Sequence, residues 1–245
     1  MRPSNVTTSP VSIARTLGRE AGRLRFQPPV AQVYNPLVYA FGAHSRYLEL
    51  YCRSAAEVLL VGMNPGPWGM AQTGVPFGEV ALVRDWLGIG DGVRPPRKTH
   101  PKRPIEGFLC QRSEISGQRL WGWARERFGS PDAFFQRFFV WNHCPLAFLE
   151  DSGRNRTPDK LPAEERAPLF EVCDRALVRI VEFLSPSLVL GVGKYGEDRA
   201  RAALGTSVRI DRILHPSPAS PAANRGWAAQ VESQLELLGI ELPPR

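Results

Sequence analysis

The 245-residue chain has little of what builds metal, disulfide or membrane chemistry. It holds four cysteines, Cys52, Cys110, Cys144 and Cys173, far apart and with no C-x-x-C pair. Such spacing argues against a zinc or iron–sulfur centre and against a disulfide framework, so reduced thiols are expected. No apolar run approaches the roughly 20 residues of a membrane helix, and no membrane partner is expected. The opening MRPSNVTTSPVS lacks the apolar core of a secretory signal, which predicts an intracellular protein. That means cytoplasm or nucleoid in a bacterium, or the nucleus in a eukaryote. The N-x-T sequons at Asn5 and Asn155 then arise by chance. No G-x-S-x-G nucleophile elbow occurs, and histidines number four.

What is present suits one sizeable domain. A hydrophobic content of 43% allows a real core, and a net charge of +7 favours an anionic partner. Residues 1–10 are expected to be disordered and 11–245 to form a single domain. Four short apolar runs, at 57–63, up to about Trp141, at 187–193 and at 207–214, read as buried strands. Helical patterns separate them: 11–26, 35–52, the stretch from Glu79, GQRLWGWARERFG, 162–185, KYGEDRARAAL and a closing helix capped by Ser220. The alternation predicts an α/β fold, a central four-stranded, mostly parallel sheet with helices on both faces.

In such sheets ligands bind at the carboxyl ends of the strands. The loops gathered there carry Asn64, Asn142, GVGKYG (191–196) and His215. GVGKYG matches the dinucleotide-binding pattern, but it follows the third strand and lacks an acid at the next strand end. It therefore reads as a tight strand–helix turn whose helix N-terminus, with Lys194, lies near a phosphate. The remaining crevice set is two amides and one imidazole, with no carboxylate. This disfavours two-carboxylate glycoside hydrolysis and clustered-ligand metal hydrolysis. It suits a leaving group that departs as a stabilised anion, with water positioned rather than deprotonated. An amide, donor and acceptor side by side, can read the imide edge of a base.

The first of these loops, VGMNPGPWGMAQTGVPFG (61–78), has five glycines, three prolines and no charge. Together with NHCPL and HPSPASPAANRGW it resembles the signature segments of the single-strand-selective monofunctional uracil-DNA glycosylases, within the uracil-DNA glycosylase superfamily. VRDWLG, HPKRP, SGRNRTP and GVG follow in matching order. The resemblance implies the fold just described and excision of uracil and 5-hydroxymethyluracil-type bases from single- and double-stranded DNA, without strand cleavage. It implies no cofactor, no metal and a monomer. By position, Asn64 would place the attacking water and His215 would bond the anion at uracil O2. Asn142 would read N3–H and O4, Phe77 would stack on the base, and the Met63 N–H would assist at O2. Gly66 would leave room beside C5. Arg154, Asn155 and Arg156 would face DNA, as would Ser217, Pro218, Ala219, Ser220 and Arg225. The family commonly inserts an arginine where this chain has Ala219, which weakens the expected wedge. Trp68 replaces a usual Phe, and His143 is expected to serve the core. The alternatives are a relative preferring hypoxanthine or xanthine, and a noncatalytic DNA-binding homologue.

Overall fold

The computed structural model describes residues 9–244. The Asn5 sequon and the rest of the expected disordered stretch up to residue 8 lie outside them. Order begins inside that stretch: Ser9 caps α1 (Pro10–Ala21), its Oγ accepting from Ser12 N at 3.2 Å, with Pro10 at the first helical position. After β1 (Val30–Tyr34) come α2 (Pro36–Tyr39) and α3 (Phe41–Tyr51), the expected single helix broken at Ala40. Asn35 does not cap α2; its Nδ2 donates instead to Gly18 O at 2.8 Å.

β2 (Val58–Gly62) leads through α4 (Met70–Thr73) to α5 (Val80–Asp85), α6 (Ile115–Phe128), α7 (Pro131–Phe135) and β3 (Phe138–Asn142). β4 (Ala147–Glu150) and β5 (Asn155–Arg156) precede the long α8 (Ala163–Leu184). β6 (Leu188–Val192), α9 (Lys194–Leu204), β7 (Arg209–Ile213) and α10 (Trp227–Leu237) complete the chain. The closing helix starts later than expected. Ser220 Oγ does accept from Ala223 N, but a 3-10 turn at 223–225 and Gly226 in the left-handed region separate it from α10.

The main sheet has the order β3-β2-β6-β7, and every pair is parallel. β2, β3 and β6 are buried along their whole length, as strands covered on both faces must be. α9 packs on β2, β6 and β7, α7 on β3, and α10 on β7. From β2 the chain runs outward to β3, then crosses to β6 on the other side. The order of strands reverses between β2 and β6, where a crevice opens at their carboxyl ends.

A second, antiparallel sheet, β1-β4-β5, was not legible in the sequence. It pairs Val30 with Glu150 and Leu149 with Asn155. The Pro-rich basic excursion before α6, residues 92–107, also enters the core, because His100 and Ile105 are buried. Tyr34 ties it down: its hydroxyl accepts from His100 N at 2.6 Å and donates to Arg103 O at 2.7 Å.

One fully buried side chain, Gln72, holds the 61–78 loop against this excursion. Its Nε2 donates to Pro67 O and Pro104 O, both at 2.9 Å. Its Oε1 accepts from Glu106 N at 2.8 Å and Gly107 N at 3.1 Å. All four valences are used, so Gln72→Leu strands four backbone groups. The expected cost is about 3 kcal/mol, a fall of roughly 6–12 °C in Tm. Thermal unfolding of the variant checks this, and an unchanged Tm would show that the anchor contributes nothing.

Candidate active site

At the carboxyl ends of the four parallel strands lies a cavity of about 330 Å³. Met63, Asn64, Gly66, Phe77, Asn142 and His215 all line it, each from its expected position. Asn64 follows β2. Its Nδ2 donates to Leu146 O at 3.1 Å, which fixes the amide and leaves Oδ1 as a free acceptor. Asn142 ends β3 with its side chain buried. Its Nδ2 contacts only the weak acceptor Met70 Sδ, at 3.2 Å, and its Oδ1 has no partner among the described residues. The amide thus presents an unused acceptor and a loosely held donor, side by side.

His215 follows β7. Its Nδ1 accepts from Ser217 N at 3.0 Å, so Nε2 carries the proton of the neutral ring and can donate. Burial lowers its pKa to about 4, so the imidazole is uncharged near pH 7. Gly193 forms its seat. A Cβ there would lie 2.9 Å from His215 Cβ, and its φ of 83° is one that glycine tolerates. A Cβ at Gly196 would lie 2.2 Å from Val61 O. The G-x-G-x-x-G run therefore serves close packing and the seating of His215. Lys194, expected near a phosphate, pairs with Asp198 on its own helix.

Phe77 occupies a strained turn with φ 53°. The turn is held by Thr73 Oγ1 donating to Gly78 O at 3.0 Å and by Trp121 Nε1 donating to Pro76 O at 3.1 Å. Its ring lies 6.1 Å from that of His215, centroid to centroid. Trp68 sits on the outer side of the loop, near the guanidinium carbons of Arg112 (4.8 Å) and Arg103 (5.2 Å). Among the described residues no group of three or more His, Cys, Asp or Glu could hold a metal ion, and all four cysteines are free and buried.

The model of the uracil DNA glycosylase superfamily matches residues 49–235. The single-strand selective monofunctional uracil-DNA glycosylase of Rattus norvegicus is 52% identical over 227 residues, 91% of this chain and 82% of that protein. The Bos taurus protein of that name is also 52% identical, across 91% of this chain and 84% of its own length. The chain belongs to the single-strand-selective monofunctional uracil-DNA glycosylase family. The crystal structure of SMUG2 from Pedobacter heparinus shares the fold, with a TM-score of 0.64 at 15% identity over 93% of this chain and 97% of that one.

The positions that the family resemblance assigned to DNA divide into two kinds. Arg154, Pro218, Ala219 and Arg225 are exposed. Arg156 is committed inside the protein, with Nη1 on Glu150 at 2.9 Å and Nε and Nη2 on Lys160 O. It braces its loop and does not stand free for a phosphate. Asn155 lines the cavity and donates to Pro65 O at 3.3 Å. Ser217 accepts from Ala219 N at 3.1 Å, and Ser220 N donates to Ser217 O at 3.0 Å. These bonds fold the segment after His215 into a compact turn. Sequence reasoning missed its clamp, Arg119 of α6, which donates to Pro216 O, Ser217 O and Asn224 Oδ1. His143 is fully buried between Asp174 (2.7 Å) and Tyr195 (3.0 Å), a framework role as expected.

The expectation that no carboxylate faces the crevice does not hold. Glu114, just before α6, lines the cavity, and burial and then the nearby Glu79 push its pKa up to about 7. Its carboxyl fills the space beside Gly66: a Cβ there would meet Oε1 at 2.4 Å and Oε2 at 2.5 Å. A carboxyl raised in the fold binds its proton more tightly folded than unfolded. Its contribution is present below about pH 4.5 and is lost as pH rises through about 7. Glu114→Gln removes that loss, which is on the order of 3 kcal/mol between pH 5 and 8. Urea unfolding of both proteins at both pH values isolates the difference. The expected result is a steeper decline in the wild type; parallel curves would refute a proton held by Glu114.

Proposed function

We propose that the protein is a monofunctional uracil-DNA glycosylase that hydrolyses the N-glycosidic bond of uracil in DNA. We extend the substrate set to 5-hydroxymethyluracil-type bases, in single and double strands. The observation that carries this is the state of Asn142: a buried Oδ1 with no partner beside a weakly held Nδ2. Uracil presents N3–H and O4, the complement of that pair. Cytosine presents the reverse pattern and would leave both groups opposed.

The remaining groups act on a flipped-out nucleotide. Phe77 stacks on the ring. Asn64 Oδ1 accepts from a water and holds it toward C1′. As the N1–C1′ bond breaks, its electron pair leaves with the base and spreads to O2. The water oxygen bonds to C1′ and releases its proton to solvent. His215 Nε2–H donates to the O2 anion as a neutral imidazole, the form its low pKa ensures. No lysine is among the lining residues, so the cavity offers no amine for a Schiff base and strand cleavage, and an abasic site is the product. The chemistry uses neutral protein groups, and we propose a monomer that works in excess EDTA.

The test is single-turnover excision from uracil-containing oligonucleotides, with abasic sites revealed by alkali. Asn64→Ala is expected to lower kcat by about 10²–10³-fold, the scale of losing one placed polar group in a site, while DNA binding persists. A full rate in the variant would remove Asn64 from its role, and no abasic product from the wild type would end the glycosylase reading. The exposed Ala219 cannot fill the gap left in a duplex. Paired uracil is therefore expected to react more slowly than single-stranded uracil, and Ala219→Arg to narrow the difference. Equal wild-type rates on both substrates would contradict this.

A further inference from the structure

The cavity wall contains a group that the proposed mechanism does not use. Glu114 is half-buried, and its Oε2, shut off from solvent, has no hydrogen-bond partner among the described residues. It caps nothing, although it stands at the N-cap position of α6. Among the described residues no cation is paired with it, and Glu79, the charged group that acts on it, carries the same sign of charge. A polar group left this way costs stability unless something in the site satisfies it.

The fold makes deliberate room for it. A Cβ at Gly69 would sit 1.6 Å from Oε2, and one at Gly66 would overlap both oxygens. Gly66 has no positive φ, so its role is space; Gly69, at φ −114° and ψ −112°, gives both space and a backbone conformation that side chains disfavour. Two glycines of the loop after β2 thus cradle a carboxyl that arrives from the start of α6.

The edge of the base that meets this carboxyl follows by elimination, given the glycosylase reading on which this inference rests. Asn142 takes N3–H and O4, His215 takes O2, and Asn64 works on the sugar side. The C5–C6 edge remains, and Glu114, packed against Gly66, is the ionisable lining group left without an edge. We propose that Glu114 is a specificity-determining residue that selects the substituent on C5, accepting a hydroxyl-bearing group and rejecting a methyl. The hydroxyl of a 5-hydroxymethyl group can accept from the carboxylic acid through its oxygen or donate its O–H to the carboxylate. Uracil leaves space for a water to do the same. Thymine would press its methyl against the unpaired Oε2. A site built to bond a hydroxyl discriminates strongly against an analogue that leaves its polar group unpaired.

The experiment compares kcat/KM on single-stranded oligonucleotides carrying uracil, 5-hydroxymethyluracil or thymine. The readout is the ratio of 5-hydroxymethyluracil to uracil. Glu114→Gln keeps a donor and an acceptor and is expected to hold that ratio within about threefold. Glu114→Leu is expected to lower it by about tenfold or more, with thymine admitted better relative to uracil. Gly69→Ala displaces the carboxyl without removing it and is expected to lower the ratio in the same direction, which keeps the test alive if the Leu variant does not fold. An unchanged ratio in Glu114→Leu or Gly69→Ala would overturn the proposal, as would equal losses in the Leu and Gln variants. So would a ratio that moves with Ser116→Ala instead, since Ser116 lines the same cavity. A wild type that excises uracil but fails these comparisons refutes only the role of Glu114. A wild type that excises nothing refutes the glycosylase reading itself.

Discussion

The site depends on one close approach at the end of β2. Gly62 is its last residue, and a Cβ there would lie 2.2 Å from Asn142 Oδ1 and 2.6 Å from Phe77 Cε2. Only without a side chain at this point can the amide from β3 and the aromatic ring from the following turn meet over one cavity. The parallel register sets up the encounter, since Gly62 lies opposite Asn142. His143 N then donates to Gly62 O, and Cys144 N to Met63 O, both at 2.9 Å. Bonds past the ends of the strands carry the alignment into the loops. What reads in sequence as a flexible residue is in structure the point that permits the pocket.

Around that point the protein is preorganised with neutral groups. Asn64 is held by Leu146 O, His215 by Ser217 N and by the cradle of Gly193, and Phe77 by the turn that Thr73 and Trp121 fasten. Rigid placement before binding lowers the ordering cost when the base arrives. The one ionisable group in the wall besides His215 is Glu114, and its pKa, raised to about 7, keeps that group mostly neutral below pH 7. A dry pocket of weakly charged groups suits a neutral base that must leave as an anion, because its donors then act in a low-dielectric surround.

Much of this was legible in the sequence because it rests on local signals. The strands β2, β3 and β6 are continuous apolar runs buried along their length, and β2 ends in Gly62 and β3 in Asn142, which serve the site. The family motifs carried Asn64, Phe77, Asn142 and His215. The second sheet was not legible, because β1 meets β4 across more than a hundred residues and neither strand alternates cleanly. The start of α10 was misread because Ser220–Pro221 forms a plausible cap signal that the chain spends on a turn instead. Glu114, Gln72 and Arg119 were missed for a common reason. Each is polar, and nothing in a polar residue's local sequence signals that tertiary packing will bury it or turn it inward. The signal that could have found Glu114 was indirect: Gly66 and Gly69, three residues apart in an apolar loop, imply that something must fill the space.

On the proposed function, one preformed cavity reads every edge of the base. The most direct measurement is a crystal structure of the protein with uracil bound. The expected arrangement has Phe77 stacked on the ring, Asn142 bonded to N3–H and O4, His215 Nε2 on O2 and C5 turned toward Glu114. A ring bound elsewhere, or bound here with C5 turned away from Glu114 and Asn142 off the N3–O4 edge, would contradict it.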